Sequence, residues 1–241
     1  MLRKTSLVVL TVLAVSLTLG AAVSAADDPL AQVIKKNQAN TLPVSLQFTK
    51  KNLSAIMRVI MGEGAFDANA RATGFLVGDG LVMTSYHVVS GSLSGPKRKI
   101  LGFGPDDGLD VAVFINGCAA KVVKVDPSAD LALLRACTPR VQQVPTFRAA
   151  PPKDAEVLVI AQPGLAKTIR RGSFDGYYAL GNSQYLTVKI DGEDGFSGSP
   201  VYDNAGQVVG IFSMYDAARG VGLLSPAAKA LEFLAQYKFS Q

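Results

Sequence analysis

The segment GFSGSP, residues 195–200, places a serine between two glycines. A serine hydroxyl that attacks a carbonyl carbon needs backbone N–H groups directed at the oxygen that becomes negatively charged. Gly195 permits the backbone conformation that turns its own N–H toward that oxygen, beside the N–H of Ser197, and Gly198 permits close approach of a substrate chain. The pattern predicts Ser197 as a nucleophile with an oxyanion hole formed by Gly195 and Ser197. A generic flexible loop of the same composition is the alternative.

A histidine and an aspartate precede this serine along the chain. His87 is the only histidine and follows the apolar run LVMTS, so we expect its side chain just past the end of a strand, facing a cleft. An ordinary, partly buried imidazole is the alternative. A lone histidine without a cluster of thiolates or carboxylates lacks the ligands for a metal site. Asp130 immediately precedes the apolar run LALLRA, where the alternative to a catalytic role is an ordinary turn residue.

Short apolar runs from Ser54 onward must position these residues. They recur at spacings of roughly 8 to 12 residues with Gly, Pro and Asp between them, which is typical of a β-barrel or sandwich. A proline-rich stretch over 137–152 divides them into two sets and predicts two small barrels. Ser225 and Pro226 before AAKALEFLAQYK predict a C-terminal helix. The runs are AIMRVIM, ATGFLV, LVMTS, VAVFI, AKVVKV, LALLRA, EVLVIA, YLTVKI, PVYD, QVVGIFS and GVGLL.

The chain begins with the pattern of a secretory signal peptide, predicted over residues 1–26. Arg3 and Lys4 precede an apolar run over residues 7–19, which small residues follow. This run is shorter than the roughly 20 residues that span a bilayer; an uncleaved N-terminal anchor is the alternative. We therefore expect a protein exported to the periplasm or secreted, with no stable membrane anchor after cleavage.

Two cysteines in an exported chain are expected to pair with each other. In the segment CAAKVVKVDPSADLALLRAC, two apolar runs flank a turn at 126–129. Pairing residue 126 with residue 129 places Cys118 opposite Cys137, and closing this loop would contribute about 3 kcal/mol. The bridge would also stiffen the position of Asp130. Two buried free thiols are the alternative.

The charge balance gives no indication of a nucleic-acid partner. The chain has 24 basic and 19 acidic residues, and loss of two basic residues with the leader leaves 22 against 19, a balance of +3. This excess is too mild to predict binding to a polyanion, and Lys97–Lys99 is interpreted as a solvated loop.

Three sequence blocks, which contain His87, Asp130 and Ser197 in that order along the chain, resemble the trypsin-like (chymotrypsin-fold) serine peptidases, in particular the bacterial HtrA-like branch. The resemblance covers about residues 54–236 and implies two six-stranded antiparallel β-barrels with the active site between them. It implies a first barrel over 54–145 and a second, with the C-terminal helix, over 146–241. The segment 27–53 is expected to be an arm of uncertain structure, either a short helix or disordered. The blocks are TGFLV with TSYHVV, DLALLR, and GFSGSPVYDNAGQVVGIFS, with GVGLLSP before the final helix.

By this resemblance, Ser197 is the nucleophile, His87 the general base and then acid, and Asp130 the group that orients His87. No cofactor is implied, and the substrate is a polypeptide. The order also excludes an α/β-hydrolase, whose histidine follows its serine. HtrA-like proteins usually add PDZ domains, and the residues up to Gln241 leave no room for one, so none is expected.

The resemblance also suggests substrate-binding residues. Asp191 lies six residues before the nucleophile, the offset at which trypsins place the acid that binds Lys or Arg. A solvated turn acid is the alternative. An extended substrate would lie along Ser213, Met214 and Tyr215, with backbone pairing that carries little sequence information. The oligomeric state is left open.

Phe196 departs from the family pattern. Trypsins carry an aspartate there that receives a new N-terminus on activation, and HtrA-like members often carry an asparagine. Phe196 implies that this switch is absent, and it raises the question of how the oxyanion loop is supported.

The sequence thus predicts an exported trypsin-like serine endopeptidase. The alternatives are a catalytically silent protein that binds exported polypeptides and an esterase-like hydrolase.

Overall fold

The structure, a computed structural model, describes residues 28–51, 67–137, 144–181 and 183–239. Its strands form two closed barrels of six antiparallel strands each, which confirms the predicted fold class. The predicted signal peptide and the predicted strand AIMRVIM lie outside the described residues.

The first barrel carries His87 and Asp130. Its strands follow the order β1-β2-β3-β6-β5-β4, and pairing of β1 with β4 closes the sheet. The interior is filled by alternate apolar side chains such as Val44, Val82 and Ile115, all fully buried. The strand bounds are β1 Thr41–Lys50, β2 Asp67–Gly78, β3 Leu81–Thr84, β4 Leu109–Ile115, β5 Cys118–Asp126 and β6 Leu131–Arg135.

The second barrel carries Ser197 in the loop before its fourth strand. Its strands follow the order β10-β11-β12-β9-β8-β7, and pairing of β10 with β7 closes it. Val157, Val201 and Val209 are fully buried in its core. The strand bounds are β7 Glu156–Ala161, β8 Thr168–Leu180, β9 Ser183–Val188, β10 Pro200–Asp203, β11 Val208–Asp216 and β12 Val221–Pro226.

The α-helices of the described residues lie outside the barrels. The first begins at the side chain of Asp28, which accepts a hydrogen bond from the N–H of Leu30 at 3.0 Å, and has proline at its first position. No helix in the described ranges is long and apolar enough to cross a bilayer. The helices are α1 Pro29–Asn37, α2 Tyr86–Val89, α3 Gly95–Ile100 and the predicted C-terminal helix, α4 Ala227–Phe239.

The first barrel begins earlier in the chain than residue 54, the boundary expected from sequence. Strand β1 lies within the segment 27–53, for which only a helix or a disordered arm was expected. Its buried side chains, Leu42, Val44, Leu46 and Phe48, alternate with less buried ones, as strand geometry requires. The period of two is visible in the sequence, but Pro43 lies inside it and weakens the strand signal.

The hairpin of β5 and β6 has a different register from the predicted one. Asp126 pairs with Leu131 rather than with residue 129. The carboxylate of Asp126 accepts hydrogen bonds from the N–H groups of Ser128 and Ala129, at 3.0 and 3.1 Å, which opens the turn into a longer loop. A bulge after Val122 shifts the register by one residue. Cys118 and Cys137 nevertheless form the expected disulfide, with Cα atoms 6.2 Å apart.

A shared apolar core joins the two barrels. Phe75 and Leu133 of the first barrel lie in one buried cluster with Ile160 and Ile211 of the second. Helices α1 and α4 add side chains to the same cluster. Their contributions are Leu30, Val33, Phe233 and Tyr237. The barrels therefore have a fixed relation, and residues from both meet in the cleft between them.

Candidate active site

The structure brings the three predicted catalytic residues together. His87 lies in the single-turn helix α2, directly after β3, as expected for a residue just past a strand end. Asp130 lies in the loop before β6 and has φ of +51°, a conformation that aspartate tolerates better than most residues. Ser197 comes from the other barrel, in the loop before β10.

The imidazole of His87 bridges the other two side chains. Its Nδ1 lies 2.9 Å from Oδ2 and 3.1 Å from Oδ1 of Asp130, and its Nε2 lies 2.9 Å from Oγ of Ser197. Because a carboxylate only accepts hydrogen bonds, Nδ1 carries the hydrogen of the neutral ring and Nε2 presents its lone pair to the hydroxyl. In this arrangement, a serine can lose its proton while it attacks a carbonyl carbon.

Asp130 is nearly buried, and its carboxylate is fully engaged. Besides Nδ1, it accepts hydrogen bonds from the backbone N–H of His87 at 2.9 Å and from the hydroxyl of Ser213. Burial raises the pKa of this carboxyl, but the hydrogen bonds and charge of His87, together with the Ser213 hydroxyl, outweigh it and hold the pKa below its usual value. The charged carboxylate can therefore stabilise an imidazolium during proton transfer.

The residues before Ser197 form a tight turn with two unpaired backbone N–H groups. The N–H of Phe196 donates to the carbonyl of Glu193 at 3.1 Å, and Gly195, the third residue of this turn, has φ of +94°. A positive φ at the third position is characteristic of a type II β-turn and favours glycine. Within the described part of the chain, the N–H groups of Gly195 and Ser197 donate to no protein acceptor. Both are free to bind the oxygen of a carbonyl at Ser197.

Thr73, on β2 of the first barrel, holds this turn from across the cleft. Its hydroxyl donates to the carbonyl of Gly195 at 2.8 Å and accepts from the backbone N–H of Gln162 at 2.9 Å. Its own backbone N–H donates to the carbonyl of Ser197 at 3.0 Å. The peptide groups that follow Gly195 and Ser197 are therefore oriented by a residue of the other barrel.

Gly198 serves the contact between the barrels. It has φ of +88°, and a Cβ atom on it would lie 2.1 Å from the carbonyl oxygen of Thr73 and 2.2 Å from Oγ1 of Thr84. The role expected from sequence, room for the substrate chain, is therefore corrected. Because Gly198 has no side chain, Thr73 and Thr84 of the first barrel can pack directly against its backbone.

Phe196 anchors the turn in the core of the second barrel. Its side chain is fully buried, and its ring centroid lies 5.7 Å from that of Phe212, edge to face. Burial of such a ring contributes about 1.5–3 kcal/mol. Apolar burial therefore holds the turn over residues 193–196 in place in this chain.

A cavity of about 360 Å³ opens beside Ser197. Asp191 is not among its lining residues. This side chain is exposed and accepts a hydrogen bond from the hydroxyl of Tyr215 at 3.1 Å, which raises the pKa of Tyr215. Asp191 therefore matches the alternative of a solvated acid rather than the base of a specificity pocket. The lining does include the other residues predicted to bind substrate, Ser213, Met214 and Tyr215.

Phe212 forms the buried wall of this cavity. A Cβ atom on Gly192 would lie 2.9 Å from its ring, and one on Gly222 would lie 2.5 Å from it, so the ring packs between two bare backbones. An apolar ring therefore occupies the inner wall.

Two supporting residues were not recognised from sequence. Thr73 stands in the block TGFLV, and Ser213, predicted only as a substrate contact, is buried and also donates to Asp130. Both roles depend on contacts between segments far apart in the chain, so local patterns carry no signal for them.

The comparisons with known proteins agree with this geometry. A family model described as a trypsin-like peptidase domain matches residues 72–211. Serine protease Rv3671c of Mycobacterium tuberculosis (strain ATCC 25618 / H37Rv) is 31% identical over 156 residues, 58% of this chain and 34% of that protein. Mitochondrial serine protease HTRA2 of Bos taurus is 26% identical over 202 residues, 77% of this chain and 41% of that protein. The chain thus spans 34–41% of the length of these relatives.

Solved structures share the fold. The active form of the Rv3671c protease from M. tuberculosis superposes with a TM-score of 0.60 at 24% identity, covering 84% of this chain and 82% of that one. An inactive form of the same protease superposes with a TM-score of 0.55 at 21% identity, covering 85% of this chain and 92% of that one. Since the family model spans more than half of the sequence, the chain belongs to the trypsin-like peptidase family.

Proposed function

We propose that this chain is an exported serine endopeptidase that hydrolyses peptide bonds through His87, Asp130 and Ser197, by way of an acyl-enzyme. The observation that carries the proposal is the pair of 2.9 Å contacts on the two nitrogens of His87, beside two unpaired backbone N–H groups. Acyl transfer needs a nucleophile, a base and an oxyanion site together.

In the first half-reaction, Oγ of Ser197 bonds to the carbonyl carbon while Nε2 of His87 takes the hydroxyl proton. The carbonyl oxygen becomes negative and accepts hydrogen bonds from Gly195 and Ser197. Asp130 stabilises the imidazolium. The C–N bond then breaks, the leaving amine takes the proton from Nε2, and an ester remains on the serine.

In the second half-reaction, water replaces the amine. Nε2 of His87 takes a proton from the water as its oxygen bonds to the ester carbon. The same two N–H groups bind the oxyanion, and the C–Oγ bond breaks as the proton passes from Nε2 to Oγ. The carboxylic acid product leaves and Ser197 is restored. These steps use only protein groups and water, so no cofactor takes part.

The substrate is proposed to be an extended polypeptide that pairs with the end of β11. Met214 is 38% exposed there, and a bulge between Phe212 and Met214 interrupts the pairing of β11 with β12. Backbone pairing binds a chain without demanding a particular sequence.

The export part of the proposal is supported by the leader pattern of residues 1–26 and by the disulfide, since such bonds persist in oxidising compartments. The destination is the periplasm or the medium. N-terminal sequencing of the protein recovered from each fraction tests it, and a full-length chain retained in the cytoplasm would contradict it.

Cleavage of a peptide library tests the proposed reaction. We expect wild type to release new amino termini and Ser197→Ala to release none. Ser199→Ala is a matched control, because its buried hydroxyl has no hydrogen-bond partner among the described residues and its loss should leave cleavage intact. Folded wild type that binds peptides without cleaving any would favour the silent binder instead.

A further inference from the structure

A second cavity, of about 320 Å³, adjoins Ser197 and has no lining residue from β11, along which the substrate is proposed to pair. It shares His87, Lys97, Gly195 and Ser197 with the first cavity, whereas Ser213–Tyr215 do not line it. The rest of its lining comes from β1, β2, α2, the loop after α2, and Leu101 directly after α3. The apolar members include Leu46, Phe48, Ala72, Val88, Leu93 and Leu101.

The second cavity lies where the half of the substrate that leaves as the amine would bind. This inference rests on the proposed function. With the carbonyl carbon at Ser197 and the acyl half along Ser213–Tyr215, the scissile nitrogen faces Nε2 of His87, which protonates it. Beyond that nitrogen, the substrate chain continues past His87 and away from Ser213–Tyr215. The second cavity lies there, because its lining includes His87 and none of Ser213–Tyr215.

The lining determines which side chain it accepts. Its floor is aliphatic and aromatic, and Leu93 and Leu101 are only half-buried, so apolar area is available for contact. Cationic groups stand at its rim. Lys97 pairs with Asp194 at 3.0 Å, and Arg71 is exposed and forms no ion pair within the described ranges. An apolar side chain gains contact there, whereas a cationic one is repelled.

We propose that this cavity binds the side chain of the first residue after the cleaved bond and selects unbranched or branched aliphatic residues over cationic ones. Phe48 and Leu101 supply apolar contact, and Arg71 supplies the repulsion. This cavity selects the side chain on the released half of the substrate, independently of the acyl-half side chain that binds beside Phe212.

Capture of the acyl-enzyme by amines tests the proposal directly. A peptide thioester acylates Ser197 and releases a thiol. An added amino-acid amide then competes with water, its nitrogen bonding to the ester carbon as the C–Oγ bond breaks and its proton returning through His87. Norleucinamide and lysinamide have side chains of the same carbon length and differ in the terminal charge, and glycinamide lacks a side chain.

We expect norleucinamide to capture the acyl group about tenfold better than glycinamide, with lysinamide no better than glycinamide. Leu101→Ser should reduce the norleucinamide advantage, whereas the control Ile100→Ser, at an 82% exposed neighbour outside this cavity, should keep it. Equal capture of all three amides by wild type would overturn the proposal, whether or not the variants fold. Absence of thiol release would instead refute the proposed reaction, and this inference with it.

Discussion

Asp130 links the charge of a single side chain to the stability of the folded protein. Its pKa lies below the usual value, because hydrogen bonds and charge from His87 and Ser213 outweigh the effect of burial. A carboxyl group with a lowered folded-state pKa stabilises the fold above its unfolded-state pKa of about 3.9, and that contribution is lost as the pH falls through the folded-state value.

Asp130→Asn should therefore change the pH dependence of unfolding in the acid range. The free-energy difference between wild type and Asp130→Asn should be largest above about pH 4 and shrink as the pH is lowered further. Urea denaturation of both proteins across this range measures it. A difference that stays constant, or grows on acidification, would contradict the proposed stabilisation of the carboxylate.

The hydroxyl of Thr73 binds the turn over residues 193–196, and its contribution to catalysis can be tested separately. Thr73→Val removes the hydroxyl's bonds to the carbonyl of Gly195 and to the N–H of Gln162 but keeps the backbone bond to Ser197. We expect kcat to fall about tenfold with little change in KM, less than the roughly 100-fold to 1000-fold loss on removal of an oxyanion donor itself. Steady-state kinetics on a peptide substrate measure both constants.

Two further substitutions separate this role from a general effect on the barrel. Thr73→Ser keeps the hydroxyl and should restore kcat. Thr41→Val makes the same change at a buried hydroxyl on β1 that has no partner among the described residues, so its activity should remain. A loss of kcat in Thr41→Val equal to that in Thr73→Val would show that the turn is not specifically affected.

At the scale of the elements, the disulfide and Asp130 lie at opposite ends of one hairpin. Cys118 begins β5, whereas Asp130 lies in the loop that joins β5 to β6. The N–H of Tyr86 donates to the carbonyl of Asp130 at 3.1 Å, and that of His87 donates to its side chain. These local bonds hold the aspartate, so the stiffening expected from the disulfide is not needed for its position.

Removing both cysteines should therefore affect stability more than catalysis. The double variant Cys118→Ala/Cys137→Ala should lose about 3 kcal/mol of unfolding free energy, from the added freedom of the unfolded chain. Its kcat/KM, measured well below the unfolding transition, should remain close to that of wild type. A large fall in kcat/KM of the folded variant would show that the bridge does position Asp130.

Some strands could be predicted from the sequence pattern alone, and others could not. Strands with consecutive apolar residues, such as β7, were recognised, but β1 was missed because Pro43 lies inside its alternation. The register of the β5–β6 hairpin was wrong because Asp126 binds the loop N–H groups and a bulge follows Val122, and neither feature alters the apolar pattern.

At the scale of the whole molecule, the candidate active site lies where the two barrels meet. His87 and Asp130 come from the first barrel and Ser197 from the second, and Gly198 fits against Thr73 because it lacks a side chain. The sequence predicted which residues meet, since their types and order restrict the chemistry. It could not predict how the turn is held or where Asp191 lies, because both depend on contacts between the barrels.

Labelling with a fluorophosphonate shows whether Ser197 is the reactive residue, because this reagent bonds to a serine that is activated by a base. We predict one adduct per wild-type chain, located on Ser197 by peptide mass spectrometry, and none in His87→Ala or Ser197→Ala. Folded wild-type protein that takes up no label, or carries it on another residue, would show that Ser197 is not an activated nucleophile.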